Sequence, residues 1–232
     1  MRRWNETETR ALEEIRRRLH DELQTIDQNP EAVGDRKLLR FFRGHNCNID
    51  KATEMIRKYI GWRKSSNVDC IRRDIVHGGM NHPSRFPNGE KILSFMPQIV
   101  IDANCTDKHG FPICVEQYNF SLSALLAEIT LEEYTLFVTY SLEYRSLILE
   151  QLSEKKERER IAQLKEREAA GHDLSQEEPC GVIMYQTVIR DLSGVGLEHL
   201  GPQGQSIIQA VIGMCVLCSG LSATCAYGTP LR

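Results

Sequence analysis

Two cysteines late in the chain, Cys215 and Cys218, have the spacing of a zinc-binding or redox-active pair. A zinc site of this kind needs a second pair of cysteines or histidines at suitable spacing, and Cys225 alone does not supply it. Their spacing also suits two small apolar residues on a helix. We therefore expect no metal and no cofactor.

Nucleophilic catalysis would require a thiol or hydroxyl held beside a base. Cys47 lies close in sequence to His45, and Cys70 lies near His77 and His82. Neither pair is accompanied by a nucleophile-elbow motif or by a glycine cluster that could form an oxyanion hole. The sequence therefore predicts a non-enzymatic protein with no catalytic residues.

The chain has 232 residues, a net charge of −3, 41% hydrophobic residues and 26% charged residues. These values are typical of a soluble globular protein. The basic residues Arg2, Arg3 and Arg16–Arg18 lie among acidic ones, so we expect no nucleic-acid surface. The amino terminus lacks the apolar core of a signal peptide, and the eight dispersed cysteines are expected to be reduced, so a cytoplasmic location is predicted.

The first 65 residues show the periodicity of short amphipathic helices. One helix is predicted over residues 4–26, and two more are predicted to follow N-caps at Asp35 and Asp50. Their apolar faces predict a small helical bundle over residues 1–65. From Ser65 to Gly89 glycine and proline interrupt the pattern, so an irregular segment is expected.

Strands and helices alternate after this bundle. A strand is predicted over Lys91–Ile101, with a kink or edge at Pro97, followed by a turn at Thr106–Gly110 and a returning strand over Pro112–Tyr118. Thr130-Leu-Glu-Glu133 is a capping box that predicts the start of a long helix. That helix continues into a charged insertion at about 153–179, and a further strand is predicted over 181–189.

The carboxyl-terminal region changes character, because no charged residue occurs from Leu200 to Leu231. Polar and small residues dilute the apolar run, so we expect a core helix over Gln203–Cys218 rather than a membrane span. Residues 215–232 have neither a clean period nor caps. We interpret them as an irregular tail produced by a frameshift, an alternative exon or premature termination.

Several motifs in order resemble those of the CRAL-TRIO lipid-binding family, the fold of phosphatidylinositol-transfer proteins. The first three motifs lie in the predicted helical bundle, and the others lie in the region of predicted strands and helices that follows it. They are Leu38-Leu-Arg-Phe-Phe-Arg43, Asp50-Lys-Ala-Thr-Glu-Met, Trp62-Arg-Lys64, Pro97-Gln98, Asp107-Lys-His-Gly110 with Pro112, Ile129-Thr130 with Glu132-Glu133, Leu142-Glu143-Tyr144 and Asp191-Leu-Ser-Gly194.

This resemblance implies an α/β fold, in which the small helical bundle precedes a partial CRAL-TRIO mixed, mostly parallel sheet flanked by helices. Residues 90–214 would form the incomplete lipid-binding domain. In the family, apolar side chains of the sheet floor a cavity, and a mobile helix gates one buried lipid. The segments that complete the cavity in family members have no counterpart in the tail at 215–232.

Strand 182–190 is predicted to alternate, with Val182, Met184, Gln186, Val188 and Arg190 on one face. The resemblance places that face in the cavity, together with positions on the neighbouring strands. The predicted lipid-binding residues are Val100, Cys114, Met184, Gln186, Val188 and Arg190.

The resemblance also indicates which headgroups are not expected. Phosphatidylcholine-binding relatives carry hydroxyl residues at the positions of Gln186 and Val188 and tyrosines at those of Val100 and Cys114. The Arg-Lys pair of phosphatidylinositol-binding relatives falls on His45 and Asn46. Because these polar contacts are replaced, the ligand is left open as a phospholipid or another hydrophobic molecule.

Arg190 is the charged residue on the predicted cavity face. It could anchor a ligand phosphate or carboxylate. Alternatively, it could sit at the end of the strand, where it pairs with Glu143 or another acid or reaches solvent. Both interpretations stay open at the level of sequence.

Two functions from different classes follow. The leading one is non-catalytic lipid binding and transfer between membranes, with transient peripheral contact at a membrane surface. The alternative is a truncated CRAL-TRIO scaffold without bound lipid, whose charged helix 154–168 binds a protein partner.

Overall fold

The structure, a computed structural model, describes residues 2–117, 120–174, 177–193, 195–202, 204–207 and 209, without the side chains of residues 98–104, 198 and 200. The predicted tail at 215–232, with Cys215 and Cys218, lies outside these residues. So does most of the predicted helix over Gln203–Cys218.

Five helices form the amino-terminal part: α1 (Glu6–Arg18), α2 (His20–Leu23), α3 (Pro30–Val33), α4 (Asp35–Gly44) and α5 (Ile49–Ser65). Their apolar faces pack into one cluster that contains Ile15, Leu39 and Ile56, each fully buried. The first predicted helix is divided, because α1 ends at Arg18 and α2 begins at His20.

The two predicted N-caps are wrong by one or two residues. Asn48 caps α5 by accepting a hydrogen bond from the backbone of Lys51. Gly34 precedes α4, and Asp35 instead accepts hydrogen bonds from Arg16 at 2.8 Å and Trp4 at 3.4 Å. Asp35 therefore links α4 to the amino-terminal segment.

The segment predicted to be irregular, residues 65–89, contains a helix, α6 (Val68–His77), and a short 3-10 turn at Pro83–Arg85. Val68, Ile71 and Ile75 of α6 are buried at spacings of three and four. Such spacing is the ordinary signal of an amphipathic helix, and the glycines and prolines further along the chain obscured it.

Residues 91–95 were predicted as strand and are helical. Helix α7 (Gly89–Phe95) precedes the sheet, and Ile92 and Met96 are buried one turn apart. Strand β1 (Gln98–Thr106) begins only after Pro97. Proline has no backbone N–H, so the chain leaves the helix there.

The described sheet has three strands in the order β1, β2 (Pro112–Gln117), β3 (Thr187–Asp191). β1 and β2 pair antiparallel, and β2 and β3 pair parallel. The sheet is therefore mixed, as predicted. The predominance of parallel pairs is not seen among the described strands.

After β2, α8 (Leu122–Glu128) leads into α9 (Leu131–Ala169), a helix of 39 residues, and α10 (Leu197–Leu200) follows β3. The predicted capping box is present, since Thr130 and Glu133 bond reciprocally to each other's backbone N–H. α9 contributes Phe137 to a second apolar cluster, which also contains Phe86 and Ile92. No helix within the described part of the chain is long and apolar enough to cross a membrane.

Candidate functional site

The two strand motifs singled out in the sequence meet in the sheet. Ile113 of β2 is the register partner of Thr187 at the start of β3. The Thr187 hydroxyl donates a 2.7 Å hydrogen bond to Asp107, which also accepts from the backbone N–H groups of His109 and Phe111. Asp107 therefore closes its own turn and ties it to a strand 80 residues later.

Cys114 and Val188 are direct register partners on β2 and β3. Cys114 is 1% exposed, and burial raises the pKa of its thiol against the opposing effects of Arg145, Arg190 and Gln186. The buried amide of Gln186 lies beside this thiol, and a hydrogen bond from Gln186 to the sulfur favours the thiolate form. The structure thus brings three of the predicted lipid-binding residues together: Cys114, Gln186 and Val188.

Arg190 pairs with an acid, though not with Glu143. Its Nε donates to Glu116 at 2.9 Å, and Arg145 of α9 contacts the other oxygen of that carboxylate at 2.7 Å. Glu116 is 4% exposed. Glu116 and Cys114 are two residues apart on β2, so they share one face of the sheet with their register partners Arg190 and Val188. The contact from Arg145 therefore brings α9 to this face.

Met184 does not lie on a strand, and the predicted strand over 182–190 is wrong in its first half. Met184 donates its backbone N–H to Ser153 of α9 at 2.9 Å, and its carbonyl accepts from Arg40 of α4 at 3.0 Å. The carbonyl of Val182 accepts from Arg36. Side chains of two helices thus replace the hydrogen bonds that a neighbouring strand would have made.

The remaining predicted positions are only partly described. Val100 lies on β1, and its side chain is outside the described set. The neighbouring residues Ile99 and Asp102 pair with Val115 and Ile113 of β2. His45, at the end of α4, is hydrogen-bonded to the carbonyl of Phe41.

A buried polar stripe along α9 was not predicted from the sequence. The stripe faces cations of α4 and α5, and Arg36 contacts both Glu150 and Glu157, the latter at 2.7 Å. Lys37 donates to Ser146 at 3.2 Å. The members of the stripe, all at most 8% exposed, are Glu143, Ser146, Glu150, Ser153 and Glu157.

The spacing of this stripe, alternately three and four residues, is the signal that could have revealed it. Leucines at the same spacing would have predicted a buried face of the helix. Charged residues are rarely buried unless they are paired, so the sequence favoured a solvated helix.

The charged helix 154–168 is partly covered by the chain itself. Leu164 is 4% exposed, and Arg167 pairs with Glu177 at 2.6 Å. Arg160 pairs with Glu178 in the same linker. Binding of a protein partner to this helix stays a prediction, confined to its exposed face.

The burial and the two ion pairs of Glu116 predict that the stability of the folded protein depends on pH. Burial would raise its pKa, but the charges of Arg145 and Arg190 outweigh burial and hold the pKa below the ordinary value of 4.5. The pair therefore contributes stability that is present above pH 4.5 and is lost as pH falls through the lower pKa of the folded state.

Replacing Glu116 by Gln should cost about 1–2 kcal/mol at neutral pH, since Arg190 is partly solvated. Urea unfolding of both proteins from pH 7 down to pH 3 measures this, and we expect the difference to shrink below pH 4.5. The matched control is Glu6→Gln, which breaks a largely exposed pair with Arg10. A difference that stays constant at every pH would contradict the prediction.

The sequence is similar to that of a lipid-transfer protein. Over 217 residues, 89% of the chain, it is 25% identical to the phosphatidylinositol/phosphatidylcholine transfer protein SFH13 of Arabidopsis thaliana. The match covers 27% of that protein, so the chain spans about a quarter of the length of this curated relative. No protein-family model matches the chain.

Proposed function

We propose that this chain binds and transfers a phospholipid or another hydrophobic ligand, without catalysis. The observation that carries the proposal is the similarity to a phosphatidylinositol/phosphatidylcholine transfer protein over 89% of the chain. The ordered motifs that resemble the CRAL-TRIO family agree with it. Burial of apolar ligand surface, at about 25 cal/mol per Å², would supply the driving force.

The proposed ligand site is the sheet face that carries Cys114 and Val188, with Gln186 at its edge. Two observations support this location. Cys114 and Val188 are adjacent across the strand pair, and the side chain of Gln186 lies beside the Cys114 thiol. Val100 and Met184 complete the proposed set, and Arg190 lies on the same face of β3 with its guanidinium held by Glu116.

The first test is extraction of lipid from the purified protein. The full chain, purified from cells and extracted with organic solvent, should yield about one lipid per chain by mass spectrometry. In this proposal the protein is cytoplasmic and contacts the membrane surface only transiently. Absence of any stoichiometric lipid would overturn the proposed function.

A pair of variants on β3 locates the ligand. Val188→Trp should reduce the retained lipid about tenfold, because overpacking a filled site costs about 1–3 kcal/mol. The matched control is Ile189→Trp on the opposite face, where Ile189 is 50% exposed and the lipid content should not change. Equal losses in the two variants would place the ligand elsewhere.

The role of Arg190 needs its own variant. We expect Arg190→Gln to leave the content of anionic lipid unchanged, because the guanidinium is held by the buried Glu116. A selective loss of anionic lipid would instead assign Arg190 to a ligand phosphate or carboxylate.

A further inference from the structure

Exposed apolar side chains are concentrated directly after β3, in the apolar loop (residues 192, 193 and 195–197). Leu192 is 55% exposed, Val195 is 39% exposed and Leu197, the first residue of α10, is 88% exposed. Apolar side chains that are exposed close together are a usual mark of a surface that meets a partner or a membrane.

Hydrogen bonds hold the apolar loop in a defined conformation. The backbone N–H of Ser193 donates to the Asp191 carboxylate at 3.0 Å, which ties the loop to the end of β3. The backbone N–H of Val195 donates to the carbonyl of Leu192 at 3.0 Å and closes a turn. The exposure of the apolar side chains is therefore a property of an ordered turn.

His199 anchors the far end of the apolar loop. Its side chain is buried, and its Nδ1 atom accepts a 3.1 Å hydrogen bond from the backbone N–H of Gly196. The imidazole also meets the ring of Phe120 edge-on, with 5.5 Å between the centroids. Because His199 points inward, α10 is held to the protein while Leu197, two residues earlier, points into solvent.

The position and the charge of the apolar loop indicate what it meets. It continues from β3, the strand whose residues Val188 and Arg190 lie on the face of the proposed ligand site. No lysine or arginine occurs in the sequence from Asp191 to Leu231. Attraction to anionic headgroups needs such cations, so contact here would depend on burial of the apolar side chains alone.

We propose that the apolar loop inserts Leu192, Val195 and Leu197 into the surface of an electrically neutral lipid bilayer. This inference rests on the proposed lipid-transfer function and adds the place of contact. A bilayer is fluid, so it accepts side chains that protrude from a turn without a complementary groove. Insertion would bring the carboxyl end of β3, and with it the proposed ligand site, to the membrane.

Sedimentation of the full chain with vesicles of pure phosphatidylcholine tests the affinity. The double variant Leu192→Ser/Leu197→Ser should bind about tenfold more weakly, because it removes two apolar side chains from the contact. The control Val76→Ser changes an exposed apolar residue of α6 and should bind like wild type. Binding of wild type should persist in 1 M salt, since screening acts on charges only. Equal binding of wild type and the double variant would overturn the proposal.

A pair of tryptophan variants locates the contact directly. The fluorescence of Leu197→Trp should be quenched by vesicles whose acyl chains carry bromine, whereas that of Val76→Trp should be quenched no more than that of wild type. Equal quenching in the two variants would overturn the proposal, and so would a dimer of wild type that Leu197→Ser abolishes, because the loop would then be covered by a second copy.

The lipid extracted from the double variant separates this inference from the proposed function. We expect Leu192→Ser/Leu197→Ser to retain the lipid content of wild type, since both side chains lie outside the proposed ligand site. If wild type retains lipid but the vesicle assays fail, only the membrane contact is overturned. If wild type retains no lipid, the proposed function itself fails.

Discussion

Replacing Arg63 by Met should lower the free energy of unfolding by about 3–5 kcal/mol, because it removes one partner of a buried ion pair. The Arg63 side chain is 0% exposed and contacts Glu143, which is 3% exposed, at 3.1 Å. It also contacts Asp69 and the hydroxyl of Tyr59. Without Arg63 the Glu143 carboxylate would remain buried and uncompensated.

Urea unfolding at neutral pH measures the loss, and the matched control is Arg57→Met on the same helix. Arg57 is 52% exposed and pairs with the partly exposed Glu22, so its loss should cost about 0–1 kcal/mol. The double variant Arg63→Met/Glu143→Met should recover part of the stability lost in Arg63→Met, since it leaves no uncompensated carboxylate at position 143. Equal losses for Arg63→Met and Arg57→Met would show that the buried pair is unimportant.

Replacing Phe137 by Ala should destabilise the protein by about 3–5 kcal/mol, through lost burial and the cavity left behind. Phe137 is 1% exposed in the apolar cluster between α7 and α9, and its ring centroid lies 6.0 Å from that of Phe86. The adjacent Leu136 is 39% exposed, so Leu136→Ala is the matched control and should change stability by about 0.5 kcal/mol or less.

Thermal and urea unfolding of these two variants compare a buried and an exposed position in the same turn of α9. Because alanine is a strong helix former, neither substitution should disturb the helix itself. A similar loss in both variants would mean that the cluster around Phe137 is not the packed core that the structure describes.

Local features of the sequence were sufficient to predict several elements of the fold. The capping box at Thr130 predicted the start of α9, and Asp107 with Gly110 predicted the turn before β2. Gly110 adopts a φ of +79°, a conformation that glycine reaches without steric cost. These signals act within a few residues, so they can be recognised without knowledge of distant partners.

The candidate site was predictable only in part. Alternation placed Val188 and Arg190 on one face of the strand, but it did not identify the neighbouring strand; the structure shows that Val188 pairs with Cys114 of β2. The hydrogen bonds of Met184 depend on Arg40 and Ser153, which lie 144 and 31 residues away along the chain. No local pattern distinguishes such a segment from a strand.

By itself, the sequence determined the mixed α/β class, the helical start of the chain and the two strand motifs that meet in the sheet. Only the tertiary structure decided that Glu143, Glu150 and Glu157 are buried. The physical reason is that burial of a charge depends on its partner, and the cations that neutralise these acids come from helices 80 to 121 residues earlier in the chain.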